Sequence, residues 1–385
     1  MTVEIPEVAL EEFELPEEKQ DDIVDESGGA VKFAYLCAGQ AGGRIGFSFY
    51  ELGYKKVIAV NTAQKDLNAL ALPDNQKIHM NVGNAEGAGK SPEVGENAAQ
   101  KAQATIYDAM KNVFGQVDRI IVCAGLGGGT GTGSVLVLLD LARKYLASIG
   151  CPDPRTHAGA IVTLPTSGEA ASQTVDNNAV MAATRLAELA EAKELSPLIF
   201  VDNDKIQRVY PQLTVQQFWP VVNSTISALF HTFNVIPTQE TNYTTFDKAD
   251  YSSLLSLGGC AIMGVTNVKN FQDETSISSA LKNNLTKTLL ADGFDLSSAK
   301  GAACIVVGGT KLFAEVPGMM NAIEYGFGAL ATLCPASLTH RGVYETEKQK
   351  LSAYTLITGL TSPKDRINRI RKVQDTGSVT SFYKK

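Results

Sequence analysis

Between Gly127 and Gly133 the chain reads Gly-Gly-Gly-Thr-Gly-Thr-Gly, five glycines and two threonines set close behind the apolar run Arg119-Ile-Ile-Val-Cys123. A short apolar run that ends in glycine fits a buried strand turning at once into its next element. Val135 to Lys144 supplies that element with helical periodicity. Glycine leaves room for a ligand to sit on the backbone amides themselves. A row of N–H groups converging at a helix N-terminus makes an anion site, helped by the positive end of the helix dipole. Thr130 and Thr132 add hydroxyl donors between the glycines, which suits several phosphate oxygens. The plainer reading, a tight turn in a crowded core, does not need five glycines.

The same strand-then-glycine pattern recurs. Apolar runs at Lys32–Cys37, Lys56–Val60, Lys77–Met80, Arg119–Cys123, Gly159–Leu164 and Leu198–Val201 alternate with helical stretches, clearest at Gly95–Phe114 and Ser134–Ser148. Such alternation predicts an α/β fold with a parallel sheet wrapped by helices. A sheet of that kind takes ligands at the carboxyl ends of its strands. Glycines gather there, at Gly39–Gly43 after the first run and Gly83–Gly95 after the third. A long helix is expected from about Thr214 to Asn234, with Pro220 marking its first turn or a kink. Residues 259–360 then read as a second, smaller α/β unit: strand Cys260–Val265, helix Ser276–Leu290, strand Ala303–Val307, helix Pro317–Leu330, and paired strands near Gly342 and at Ser352–Thr358. No internal repeat or low-complexity linker is visible.

Composition removes several classes. With 385 residues and 44% hydrophobic content the chain can bury a large core, and two domains are expected. The uncharged stretch Ile120–Leu139 is long enough to span a bilayer, but six of its residues are glycine and three carry hydroxyls, so it is not read as a membrane span. The acidic N-terminus does not resemble a secretory signal. Cys37, Cys123, Cys151, Cys260, Cys304 and Cys334 form no C-x-x-C pair and stand mostly in apolar runs, as buried free thiols of a cytoplasmic protein would. The net charge of −7 argues against a general nucleic-acid binder. Its distribution is uneven: residues 1–29 hold eleven acidic side chains and one lysine, and residues 363–385 seven Lys/Arg against two Asp. Either these are solvated tails, or one or both recruit a partner.

Two familiar phosphate motifs fail on spacing. Gly83 to Gly89-Lys-Ser91 has five intervening residues where a Walker loop has four, and Gly39-Gln-Ala-Gly-Gly43 does not fit G-x-G-x-x-G. A phosphate site assembled from several loops remains.

At this point the residues resemble the tubulin/FtsZ superfamily of polymerising GTPases. Gly127-Gly-Gly-Thr-Gly-Thr-Gly133 is similar to its signature, and further matches follow in the family's order along residues 31–260. Gly39, Gln40, Ala41, Gly42, Gly43 and Arg44 resemble the first phosphate loop. Asn61 and Thr62, with Asp66, resemble the second, and Gly87-Ala88-Gly89-Lys-Ser-Pro-Glu-Val-Gly95 the third. Thr163-Leu-Pro165 through Glu169 is similar to the ribose loop and Asn203-Asp-Lys205 to the guanine-side loop; Gln173 stands where some relatives carry arginine. Asn203 brings an amide able to meet a purine edge. Trp219 and Asn223 lie on one helix face, and the resemblance implies stacking on guanine for the first and reading of its N1/N2 edge for the second; ordinary core packing is the other reading of Trp219. Asp247 and Asp250 in Thr244–Asp250 take the acidic positions of the loop that enters the neighbouring subunit's pocket, with Thr245 in place of the family's asparagine. Read without the resemblance, they are two acids favoured at a helix N-terminus.

The resemblance implies a Rossmann-like GTP-binding domain at 30–213 after an acidic arm at 1–29, a central helix at 214–235, a C-terminal activation domain at 236–362 and a basic tail at 363–385. It implies binding of GTP or GDP with Mg²⁺, no protein-built metal site, and assembly into a head-to-tail homopolymer whose next subunit completes hydrolysis. The tail is basic, with no match to the membrane-docking peptide of division-type FtsZ; together with Val201-Asp-Asn-Asp-Lys205 and the Gly-Gly-Gly-Thr-Gly-Thr-Gly form, it makes the chain look most like TubZ-like plasmid and phage tubulins, which segregate or position DNA, and the resemblance suggests a DNA-bound adaptor as partner of the tail without membrane insertion. CetZ- or FtsZ-like shape and division filaments are the alternative. A nonpolymerising Rossmann-like enzyme is the rival of another class, although His79, His157, His231 and His340 are isolated in sequence and no paired catalytic constellation stands out. A nonhydrolysing scaffold is a third reading.

Overall fold

A computed structural model describes residues 26–83, 86–269, 273–286, 290–335 and 337–372. Most of the acidic arm and residues 373–385 of the basic tail lie outside the described residues. The strands are β1 (Phe33–Ala38), β2 (Val57–Asn61), β3 (Lys77–His79), β4 (Arg119–Gly125), β5 (Ala158–Leu164), β6 (Leu198–Asp202), β7 (Cys260–Asn267), β8 (Gly301–Gly309), β9 (Leu338–Thr346) and β10 (Leu351–Leu360). The helices are α1 (Gly39–Glu51), α2 (Gln64–Asn68), α3 (Pro92–Val113), α4 (Thr130–Ser148), α5 (Pro154–His157), α6 (Ser167–Ala170), α7 (Gln173–Glu191), α8 (Asn203–Val209), α9 (Val215–Val235), α10 (Lys248–Leu255), α11 (Ser276–Thr286), α12 (Thr310–Glu315), α13 (Met319–Leu333) and α14 (Lys364–Lys372).

The sheet order is β3-β2-β1-β4-β5-β6-β7-β10-β8-β9, with β10 the antiparallel member. The second unit therefore continues the ladder of the first, through a single residue pair, Leu198 with Cys260. Central strands such as β1 and β5 are buried along their whole length, as near-continuous apolar runs covered on both faces must be. Two apolar layers result. One packs α3, α4 and α7 on a sheet face; the other packs α1 and α9 on the opposite face.

One expectation is corrected. The strands near Gly342 and Ser352–Thr358 are not paired with each other, because β8 lies between them. β10 is buried throughout and needs a neighbour on each side, whereas β9 is buried only at Gly342 to Tyr344 and is exposed or half-buried along the rest of its length, as an edge strand is. Pro220 falls inside α9, after a first turn capped by Thr214 and Gln217, so it does not mark the helix start. All six cysteines are free thiols; Cys151 is only half-buried. Among the described residues no helix is long and apolar enough to cross a membrane.

Candidate functional site

The loops that follow β1, β2, β4, β5 and β6 open together at the carboxyl edge of the sheet. They enclose a cleft of about 620 Å³, within the usual range for small-molecule sites. It is lined by Gly39, Gln40 and Ala41, by Asn61 and Thr62, by Gly87 and Ala88, by Gly127 to Gly131, by Glu169 and Asn203, and by Trp219 and Asn223 of α9. Seven separate stretches of the sequence thus converge. Gly42, Gly43, Gly89, Thr132 and Gly133 do not line it.

The glycine motif divides by role. A Cβ on Gly133 would run into the Pro92 carbonyl, one on Gly131 would meet the Gly125 backbone, and one on Gly129 would lie 2.7 Å from the Ala88 Cβ and 2.8 Å from the Ser91 carbonyl. These three are demanded by the close approach of α4 to its neighbours. Gly127 has φ +108°, a conformation glycine reaches freely. Gly128 faces open space, inside the cleft. Gly42 behaves like Gly133: a side chain there would strike the Cys123 carbonyl.

Side chains fix the loop. Thr132 Oγ1 accepts from the Gly127 amide at 3.0 Å, Asn178 Nδ2 donates to the Gly127 carbonyl at 3.1 Å and to Lys90 O at 2.9 Å, and Thr62 and Thr130 share a 2.6 Å hydroxyl contact. Asp66 accepts from Asn61 Nδ2 at 3.3 Å and Gln40 Nε2 at 3.4 Å. At the other end of the cleft Asn203 is 4% exposed, and its Oδ1 is buried without a hydrogen-bond partner. An orphaned acceptor there is costly unless a ligand supplies the donor. Trp219 is half-buried, packed edge-on to Phe218 at 5.0 Å, with its ring on the cleft and not in the core. Glu169 closes a capping box on Thr166 with Oε2.

Arg44 and Lys90 also line the cleft and have no ion-pair partner among the described residues. Both stand in stretches that resemble phosphate loops, although neither is singled out there as a contact. Lys90 holds a left-handed backbone (φ 62°), rare for a residue with a side chain. A cation inside the glycine-rich third loop was the sequence signal for it.

Asp247 and Asp250 lie elsewhere. Asp247 caps α10: its Oδ1 accepts from the Asp250 amide at 2.9 Å, and Asp250 Oδ2 accepts from the Asp247 amide at 3.2 Å. His340, isolated in sequence, is brought against this loop, with Nδ1 2.8 Å from Asp250 Oδ1. Beside Asp247, Lys248 pairs at 2.8 Å with Asp118, which accepts from the Lys32 amide at 2.9 Å. The far end of α10 is held by the fully buried Arg119, which donates to Thr156 O and Ser252 O at 2.8 Å and to Leu255 O at 3.3 Å. Burial lowers the Arg119 pKa to about 10, so it stays cationic near neutrality. A cation against the last carbonyls of a helix is favourable. Lys32, Asp118 and Arg119 all stand at the amino ends of β1 and β4. The acidic loop is therefore fixed to the edge opposite the cleft, separated by the seven residues of β4, or about 20 Å.

Residues 32–211 match the family model described as "Tubulin/FtsZ family, GTPase domain". The chain is 28% identical to cell division protein FtsZ 1 of Pyrococcus horikoshii over 309 residues, 80% of this chain and 74% of that protein. In structure it is similar to TubZ of Bacillus thuringiensis serovar israelensis in a GTPγS-form protofilament (TM-score 0.78, 20% identity, 92% and 94% of the two chains). It is also similar to GDP-bound CetZ1 from Haloferax volcanii (TM-score 0.68, 23% identity, 90% and 99%).

Proposed function

From the match of residues 32–211 to the GTPase domain of the tubulin/FtsZ family, we propose that the chain binds GTP in the carboxyl-edge cleft and hydrolyses it only when a second copy delivers Asp247 and Asp250. The observation that carries this reading is the separation of the two halves of the chemistry. The carboxylates that line the cleft are engaged by the protein, Asp66 with Asn61 and Gln40 and Glu169 in its capping box, and the acidic loop is tied by Lys248 and Arg119 to the far edge of the same sheet. Within one copy they stand at opposite edges of the sheet; a head-to-tail stack would bring them together.

The cleft fits the substrate in kind. The amides around Gly127 to Gly129 and the N-terminus of α4 face where phosphates would lie, and Gly128 leaves the space free. Arg44 and Lys90 add positive charge. Trp219 offers a stacking face, Asn203 and Asn223 read the purine edge, and Glu169 meets the ribose through its uncapped oxygen. Among the described residues no group of three His, Cys, Asp or Glu side chains could hold a metal by itself. Thr62, Thr130 and Asp66 present hard oxygen donors of the sort magnesium accepts, and would hold it together with phosphate oxygens. When bound, the ion supplies neutralising charge on the β- and γ-phosphates.

At the joint, Asp247 keeps one carboxylate oxygen outside the capping box, and the neighbouring Asp250 is held by His340. They orient the attacking water and accept its proton. After hydrolysis the joint is weaker, and the filament comes apart. We read the filament as one that segregates or positions DNA, with the basic stretch 363–385 taking a DNA-bound or otherwise acidic partner.

Asp250→Ala tests the shared site. Turnover should fall about 10²- to 10⁴-fold, the usual worth of a positioned acid or base, while the GTP dissociation constant is unchanged and assemblies persist longer. Parent-level steady-state turnover in that variant would refute the shared site.

A further inference from the structure

The nucleoside end of the cleft is tied to a residue more than 160 positions later. Arg366, on α14, is 5% exposed, and Asp202, the last residue of β6, is fully buried. The guanidinium grips the carboxylate with two bonds, Nε to Oδ2 at 2.5 Å and Nη2 to Oδ1 at 2.7 Å, and Nη2 also reaches the Pro165 carbonyl at 3.4 Å. The fork geometry of arginine matches a carboxylate in this way, and lysine cannot reproduce it. A buried pair of this kind is weak evidence of stability but strong evidence of a fixed geometry, since losing one partner strands the other charge.

What it fixes is the start of α8. Asp202 Oδ1 also accepts from the Asp204 amide at 3.2 Å and caps that helix. Asp204 Oδ1 accepts from the Ser167 amide at 2.9 Å; burial works against its charge, yet the bonds from Ser167 hold its pKa below the usual range. Lys205 is paired at 2.5 Å with Asp292. The side chains on either side of Asn203 are thus committed to the protein, while Asn203 Oδ1 is buried, unpartnered and on the cleft. Pro165, the second group that Arg366 touches, lines the same cleft.

We propose that Arg366 is a positioning residue for the nucleotide base: by gripping Asp202 and Pro165 it aims the Asn203 carbonyl oxygen at an exocyclic amino group of the purine. The inference rests on the reading of the cleft as a nucleotide site. It makes affinity and base selectivity depend on α14 being docked. Linkage is reciprocal, so a partner that lifts α14 weakens nucleotide binding, and bound nucleotide holds α14 down.

The test compares dissociation constants for GTP and for inosine triphosphate, which lacks the 2-amino group, in the full chain and in Arg366→Lys, Asn203→Ala and the double variant. Arg366→Lys should weaken GTP about tenfold, as outer-shell partners commonly do, and the inosine nucleotide less, so that discrimination shrinks. The double variant should be no weaker than the worse single, the mark of two residues acting through one contact. Parent-level GTP affinity and discrimination in Arg366→Lys, equal weakening of both nucleotides, or full additivity with Asn203→Ala each overturns the proposal. Should Arg366→Lys fail to fold, Arg366→Met combined with Asp202→Asn leaves no stranded charge and carries the same expectations. A parent chain that binds neither nucleotide overturns the nucleotide reading and this inference together; a parent that binds while the variant is unchanged overturns this inference alone.

Discussion

At the carboxyl end of β4 the backbone turns bare amides and an open Gly128 toward a void, with Asn203 Oδ1, Arg44 and Lys90 left uncommitted around it. At its amino end the opposite holds: Asp247 and Asp250 cap each other's amides, Lys248 is paired with Asp118, and Arg119 is spent on the carbonyls of α10. The first edge is built to receive charge and the second to present it rigidly. On the proposed reading, a void that takes an anion and a knob of fixed carboxylates become two halves of one site when copies stack, and the difference between the edges is why a single copy with an intact cleft would be an incomplete catalyst.

The contrast can be broken at either edge. Gly128→Val, the largest effect expected, puts a branched side chain into the space at the centre of the cleft and should abolish nucleotide binding, read by equilibrium titration with GTP. Melting of the nucleotide-free protein should stay near the parent value, because no protein atom lies within 4 Å of the added Cβ. A normal dissociation constant would remove the phosphate assignment. Gly133→Ala, with a smaller expected effect, sharpens the same contrast. Its methyl meets the Pro92 carbonyl and the Glu96 amide nitrogen, so it should destabilise the fold by about 1–3 kcal/mol, the usual range for overpacking, measured by denaturant unfolding. Where the variant folds, GTP affinity should be kept.

Much of this was legible in the sequence. The six strands of the first unit appear where apolar runs predict them, since a strand covered on both faces must be apolar along its length. The cleft was legible too, because glycine loops after successive parallel strands all open on one edge. What the sequence left out is partnership. It shows that β9 and β10 are strands, but nothing in a single strand's composition names its neighbour, and the short connection at Glu347–Lys350 imitates a hairpin. The glycine motif was read as room for a ligand; Gly129, Gly131 and Gly133 also serve the packing of α4 against α3 and the end of β4, a role that sequence alone does not show. His340 and Asp250 are 90 residues apart and meet only through the fold. Arg366 stood among tail charges that usually remain solvated, and its burial against Asp202 has no local signature.

The central claim is that each catalytic site is assembled from two copies, and complementation tests it most directly. Gly128→Val keeps the carboxylates and loses the cleft; Asp250→Ala keeps the cleft and loses a carboxylate. Each alone should release almost no phosphate from GTP, and an equimolar mixture should recover turnover well above the sum of the two, rising with total protein concentration. A mixture no faster than that sum, beside a parent chain whose specific activity is the same at every dilution, would contradict it.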